Sequence, residues 1–174
     1  MIRLIVPNEE YLPSYMEAYE EYQNNNVTTY FLSDASSTDI FAKFDNYRYE
    51  RNLPPNRVGQ DIYWLVDDER GYFIGQIAVR HRLNDALLLR GGHIGYGIRY
   101  SEWNRGYGTK MLSLALEKAK ELHLTDVLIT CNDDNPASAR VMEKNGFVMK
   151  DKVLAYSAEN GKEILTRRYW KTIG

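Results

Sequence analysis

Two glycines one residue apart, Gly106 and Gly108, lie in the stretch Trp103-Asn104-Arg105-Gly106-Tyr107-Gly108-Thr109-Lys110-Met111-Leu112. An apolar run from His93 to Arg99 precedes them, and a helical pattern from about Tyr107 to Leu122 follows. A strand that feeds a glycine turn that feeds a helix can hold a phosphate. The glycines let the backbone approach the ligand, and the unpaired N–H groups of the first helical turn point at it. The helix dipole adds about 0.3–1 kcal/mol of attraction for an anion. Two familiar phosphate motifs fail on single residues. A P-loop needs a lysine directly after its last glycine and then Ser or Thr; here Thr109 separates Gly108 from Lys110, and Met111 follows. A dinucleotide fingerprint needs a third glycine three residues after the second, where this chain has Met111.

A second stretch, Asn135-Pro136-Ala137-Ser138-Ala139-Arg140-Val141-Met142-Glu143-Lys144-Asn145-Gly146-Phe147, is a helix with its punctuation in place. Asn135 suits the cap, Pro136 the first helical position and Gly146 the left-handed residue past the end. Read separately, the first stretch is a glycine turn and the second a capped surface helix. In this order, a helix and a strand apart, they resemble the two signatures of the GNAT family of N-acetyltransferases. Those are [Gln/Arg]-x-x-Gly-x-[Gly/Ala] between a strand and a helix, then Asn-x-x-[Ala/Ser] opening a helix that ends in Gly-Phe. The resemblance covers about Ile62 to Phe147 and departs at Trp103, which occupies the Gln/Arg slot.

The resemblance implies that acetyl-CoA is the cosubstrate and that an amine attacks it directly in a ternary complex. Arg105, Gly106, Tyr107, Gly108 and Thr109 would hold the pyrophosphate, with Asn104 or Arg105 as a substitute donor for the Gln/Arg slot. Backbone groups of Ile98, Arg99 and Tyr100 would pair with pantetheine amides, the Ile98 N–H polarising the thioester carbonyl. Asn135 and Ser138 would touch the pantetheine or phosphate region. Many family members carry a tyrosine seven residues after this asparagine as acid or thiolate partner; here that residue is Met142, which donates no proton. Tyr96 and Tyr156 are the alternatives. An amine near pKa ~10 must lose a proton before attack, whereas a thiol of pKa about 8.5 can leave as thiolate, so a general base matters more than an acid. His93 is the first candidate base, its ordinary pKa near 6.5 suiting the work; His81, Glu102 and water are the others. A non-catalytic acyl-CoA sensor on the same fold and a donor with a longer acyl chain are the competing functions.

The rest of the sequence sets bounds. A formal net charge of −2 gives no general attraction for nucleic acid or membrane. The single cysteine, Cys131, lies in an apolar run and reads as a buried inert thiol, and His81, His93 and His123 form no metal-spaced cluster with it. The first twenty residues lack a hydrophobic signal core and no run reaches transmembrane length, so the default location is cytoplasmic. No repeat or Pro/Gly/Ser linker appears, which predicts one domain over residues 1–174.

Ile2 to Val6 reads as a strand, and Tyr11, Tyr15, Tyr19 and Tyr22 form the core stripe of a helix running from about Pro13 to Tyr22. Ser37 or Thr38 caps a second helix through Phe41, Phe44 and Tyr47. Asp61–Val66 and Tyr72–Arg82 form a hairpin; Leu83–Leu89 is a bulge or loop. His93–Arg99 and Val127–Cys131, joined by a helical crossover, are expected to be parallel neighbours. Val127–Cys131 reads as an apolar run, as a strand buried on both faces would be. Phe147–Tyr156 and Ile164–Trp170 close a hairpin around Asn160-Gly161. The fold class is α/β: a mixed, mostly antiparallel central sheet with helices on both faces, similar to the GNAT acyltransferase fold. The loops Asn24–Ser37 and Asn84–Gly92 are expected to choose the acceptor. Dimers are frequent in the family, so a homodimer is an open expectation.

Overall fold

The computed structural model describes residues 1–28, 31–157 and 160–174. Strand β1 (Ile2–Ile5) leads through a 3-10 turn (Glu9–Tyr11) into α1 (Leu12–Asn24), and α2 (Ile40–Arg48) follows. β2 (Gln60–Asp67) and β3 (Tyr72–Arg80) form a hairpin, followed by α3 (Asp85–Leu89), β4 (Ile94–Ile98) and a second 3-10 turn (Tyr100–Glu102). Then come α4 (Tyr107–Glu121), β5 (Asp126–Asn132), α5 (Pro136–Lys144), β6 (Val148–Tyr156) and β7 (Glu163–Thr172).

β2 is apolar on both faces, and its two-residue period sends alternate side chains to different cores. Ile62, Trp64 and Val66 meet α1 and α2, while Tyr63 and Leu65 face α4. In the first core Tyr15 stacks on Trp64 with ring centroids 4.8 Å apart, and Phe73 meets both rings edge-on. The expected tyrosine stripe is present: Tyr11, Tyr15 and Tyr22 are buried and Tyr19 packs at the margin. In the second core Met111, Leu112, Ala115, Leu116 and Ala119 give α4 a continuous buried face, packed mainly against β3, β4 and α5. Helices therefore lie on both sides of the sheet, as expected.

Three local expectations change. The cap of α2 is Asp39, whose carboxylate accepts from Ala42 N–H at 3.0 Å; the Ser37 hydroxyl instead reaches back to Asp34 O. Leu83–Leu89 contains the short helix α3, because Asn84 caps it through Leu87 N–H at 2.9 Å. The hairpin between β6 and β7 closes with Ser157 N–H donating to Lys162 O, but positions 158 and 159 lie outside the described residues, as do positions 29 and 30 of the Asn24–Ser37 loop.

The largest correction concerns β4 and β5. The strands form two antiparallel sheets, ordered β1-β2-β3-β4 and β5-β7-β6, with no ladder between β4 and β5. The two edges touch at one end, where His93 N–H donates to Leu128 O at 2.7 Å and Leu128 N–H donates to His93 Nδ1 at 3.0 Å. Gly92 makes the approach possible: its φ is +63°, and a Cβ there would stand 2.4 Å from Leu128 O. Beyond this junction no ladder joins β4 to β5, and this break between the two sheets is termed the wedge. As expected, β5 is buried on both faces, with Val127, Leu128 and Ile129 all inaccessible.

Candidate cofactor cleft and active site

The wedge is lined on one side by the outer edge of β4. In an antiparallel ladder only alternate residues exchange hydrogen bonds with the partner strand. Arg80 N–H donates to His93 O and Arg99 N–H to Ile74 O, both at 2.7 Å, which assigns the odd-numbered residues of β4 to β3. The backbone groups of Tyr96 and Ile98 therefore point away from β3, toward the wedge. The Ile98 carbonyl already accepts from Trp103 Nε1–H at 2.8 Å and from the Tyr22 hydroxyl.

Past Ile98 the chain turns through Tyr100–Glu102 and reaches α4 by way of two left-handed residues, Asn104 at φ +62° and Gly106 at φ +82°. Gly106 caps α4 and offers no side-chain acceptor to the first-turn N–H groups, so those of Tyr107, Gly108 and Thr109 are the orphans of a helix start. A Cβ at Gly106 would meet nothing within 4 Å, whereas one at Gly108 would stand 3.2 Å from Val141 of α5. The two glycines thus differ in purpose: the first faces open space, the second lets two helices pack. Asn145 Nδ2 fastens the same junction, donating to Thr109 O and Val141 O. Asn104 and Arg105 are exposed beside the helix start.

The other lip of the wedge is the start of α5. Asn135 caps it by accepting from Ser138 N–H at 3.2 Å. Ser138 Oγ lies 2.9 Å from the Tyr96 hydroxyl, so a β4 side chain and α5 are tied across the opening. Burial pushes the Tyr96 phenol up to about 12, with the Ser138 hydrogen bond opposing it. Cys131, near the end of β5, is buried and its thiol is pushed up to about 11, mainly by desolvation. Among the described residues no group of histidine, cysteine and carboxylate side chains could hold a metal ion, and no helix is long and apolar enough to cross a membrane.

Several expected site residues are placed elsewhere. His93 sits at the closed end of the wedge, 6% exposed, with Nδ1 occupied by Leu128 N–H. Desolvation, with a smaller effect from Arg80, lowers its pKa to about 4. Its ring thereby bridges the two sheets, with Nδ1 committed to the β5 backbone. The folded pKa lies below the unfolded value of about 6.5, so the unfolded chain takes up the proton first as pH falls. The stability this neutral ring confers is complete above about pH 6.5 and is lost toward pH 4, by about 3 kcal/mol. Urea unfolding at pH 7.5 and 4.5 should therefore show the wild-type advantage over His93→Gln shrinking on acidification; a constant difference would remove the buried neutral ring.

Arg99 also turns away. Its N–H and C=O are engaged by Ile74 O and Glu102 N–H, and its guanidinium is buried against α1. Tyr100 lies beyond the strand and its carbonyl accepts from Trp103 N–H. Tyr156, 72% exposed, ends β6, the far strand of the second sheet. His81 is held between Asp61, at 2.9 Å, and Glu50 at the opposite end of β3. Met142 is fully buried in the core. The sequence reading missed Tyr22, which reaches Ile98 from α1, and Phe31, whose ring covers Gly95 and Gly97 on the α1 face of β4. The alternation Gly95, Gly97, Arg99 was the available signal for that face.

The family model described as acetyltransferase (GNAT) domain matches residues 3–148. No curated protein is similar to the chain at a significant level. Among solved structures, the microcin C7 self-immunity acetyltransferase MccE, in complex with acetyl-CoA and AMP, is 16% identical with a TM-score of 0.73, covering 99% of this chain and 92% of its own. A Salmonella typhimurium acetyltransferase that modifies the N-terminal serine of ribosomal protein L7/L12 is 14% identical with a TM-score of 0.71, covering 99% and 95%. A Vibrio cholerae spermidine N-acetyltransferase chimera is 15% identical with a TM-score of 0.64, covering 98% and 95%. At these identities the likeness is one of fold, and the match over residues 3–148 carries the assignment: the chain belongs to the GNAT family of acetyltransferases.

Proposed function

We propose that the chain transfers the acetyl group of acetyl-CoA to an amine of a small molecule or protein by direct attack, with both substrates bound. The observation that carries this reading is the wedge itself: an unladdered β4 edge that runs directly into an uncapped helix start. Pantetheine would add to that edge as an extra strand, pairing with Tyr96 and with the Ile98 N–H, as extended ligands pair with exposed sheet edges. Arg105 and the N–H groups of Tyr107, Gly108 and Thr109 would hold the diphosphate, with Asn104 beside them. Asn135 and Ser138 would border the pantetheine from α5.

The Ile98 N–H would donate to the thioester oxygen as negative charge builds there. The departing thiolate, pKa about 8.5, needs a hydrogen bond more than a proton. Tyr96 suits that role: with its pKa at about 12 it stays protonated and donates from across the wedge. With His93 serving as a strut, water carries the amine proton away. The relatives act on acceptors as different as a protein N-terminus and spermidine, so the acceptor class stays as broad as the proposal states it.

The test is a thermal-shift titration followed by thiol release across an amine panel. At a hundredfold excess over Kd, acetyl-CoA adds about 2.7 kcal/mol, a rise of roughly 5–10 °C for a chain of this size. Thiol release should then appear with at least one amine, and Tyr96→Phe should lower kcat roughly 10–100-fold, the value of one hydrogen bond to a charged group. Absence of any shift would end the proposal. Met142, buried where many members keep a tyrosine, favours a second reading as an acyl-CoA sensor. A thermal shift without thiol release from any amine would select that reading.

A further inference from the structure

We infer that Glu102 is a positioning residue for the diphosphate of the donor, acting through Arg105. The inference rests on the cofactor reading above and adds a residue that makes no contact with the ligand itself. Glu102 closes the 3-10 turn after β4, where its N–H donates to Arg99 O at 3.0 Å. Its side chain turns inward and is 5% exposed. Its Oε2 is the one buried side-chain polar atom among the described residues that has no hydrogen bond. Arg105 Nη1 stands 3.3 Å from that oxygen, while the Arg105 side chain is 61% exposed.

Such an arrangement is costly unless it is used. A buried carboxylate oxygen without a hydrogen bond gives up its hydration, and a carboxylate beside a helix start opposes any anion that binds there. Both costs are offset if its charge is spent on a cation at the same place. A guanidinium carries five N–H donors in a planar fork. Glu102 attracts one Nη, and the Arg105 side chain as a whole stays exposed, one residue before Gly106, where a Cβ would meet nothing within 4 Å. An exposed arginine otherwise samples many rotamers, and ordering it on binding lowers affinity. Held in advance, it presents a bidentate edge suited to phosphate oxygens.

The experiment compares Kd for CoA with Kd for pantetheine, which lacks all phosphates, by direct and displacement calorimetry. Wild type, Glu102→Gln, Arg105→Gln and the double variant are measured. Glu102→Gln should cut the preference for CoA over pantetheine about five- to tenfold, part of the value of one charge-assisted contact, because Arg105 itself is retained. Arg105→Gln should cut it at least as much, and the double variant no more than Arg105→Gln alone. Loss of fold would weaken both ligands and leave the ratio in place, which separates a brace from a positioner. A wild-type ratio in Glu102→Gln, or a double variant that multiplies the two single effects, overturns the inference while leaving the cofactor site standing. If Arg105→Gln and Gly106→Val both bind CoA as wild type does, the cofactor site itself is misplaced.

Discussion

Gly106→Val should weaken CoA binding at least 100-fold while the chain still folds. The backbone at Gly106 has φ +82°, and no atom lies within 4 Å of an added Cβ. The Cβ itself therefore meets no neighbour; the internal cost is the left-handed conformation, roughly 1–2 kcal/mol. For a chain of this length that lowers Tm by about 2–8 °C. The effect on the ligand is larger. On the proposed cofactor site, the space that the Cβ and its two methyls would fill would border the approach to the orphan N–H groups of Tyr107, Gly108 and Thr109. Losing two hydrogen bonds to a charged group costs about 3–6 kcal/mol, a factor of roughly 10²–10⁴ in Kd. Gly106→Ala, with the same φ penalty and one methyl, should fall between wild type and valine. Calorimetry that gave the valine variant a Kd within threefold of wild type would show that the diphosphate does not approach this turn.

The elements that the sequence made legible are those whose signals are local. The apolar run of β2, the helically spaced stripe of α4 and the Asn135 cap all follow from neighbours close along the chain, and each stands in the structure. The residues that misled are those whose meaning depends on distant parts of the chain. A histidine at the mouth of a strand reads as a base until Leu128, 35 positions away, donates to its ring. The backbone of Arg99 reads as a pantetheine partner until the two-residue period of β4 is followed and its N–H is found on Ile74 O. Gly95, Gly97 and Arg99 share the face toward α1, where Glu17 and Glu21 are spaced one helical turn apart. The wedge was hidden for the same reason. The crossover rule sets β4 and β5 side by side, but nothing local announces that pairing stops after one reciprocal contact at His93.

Arg99 supplies the sharpest test of how the site is braced. Its guanidinium, 5% exposed, donates from Nε to Glu21 at 2.7 Å, from Nη2 to Glu17 at 3.2 Å and from Nη1 to Ser14 Oγ at 3.0 Å, and it lies 4.2 Å over the Tyr72 ring. Glu21 also accepts from Ser101 N–H at 3.1 Å, and its neighbour Tyr22 donates to Ile98 O. The last turns of α1 thus hold both the end of β4 and the turn that carries Glu102. Arg99→Met keeps much of the volume and removes the cation. Breaking a buried ion pair from one side costs about 3–5 kcal/mol, and the partial exposure of Glu21 and Glu17 lets them rehydrate, so about 2–4 kcal/mol is expected in urea unfolding, with an unchanged m-value. Glu21→Gln should cost less, because Glu17 and Ser14 still hold the guanidinium. The double variant should cost less than the sum of the two, since the residues share one network. CoA affinity should fall in Arg99→Met even where the protein is fully folded, because Ile98 and Ser101 lose their support from α1. A variant destabilised by less than about 1 kcal/mol would mean that the carboxylates are as well served by water as by Arg99. One with undiminished CoA affinity would mean that β4 and its turn hold their shape without α1.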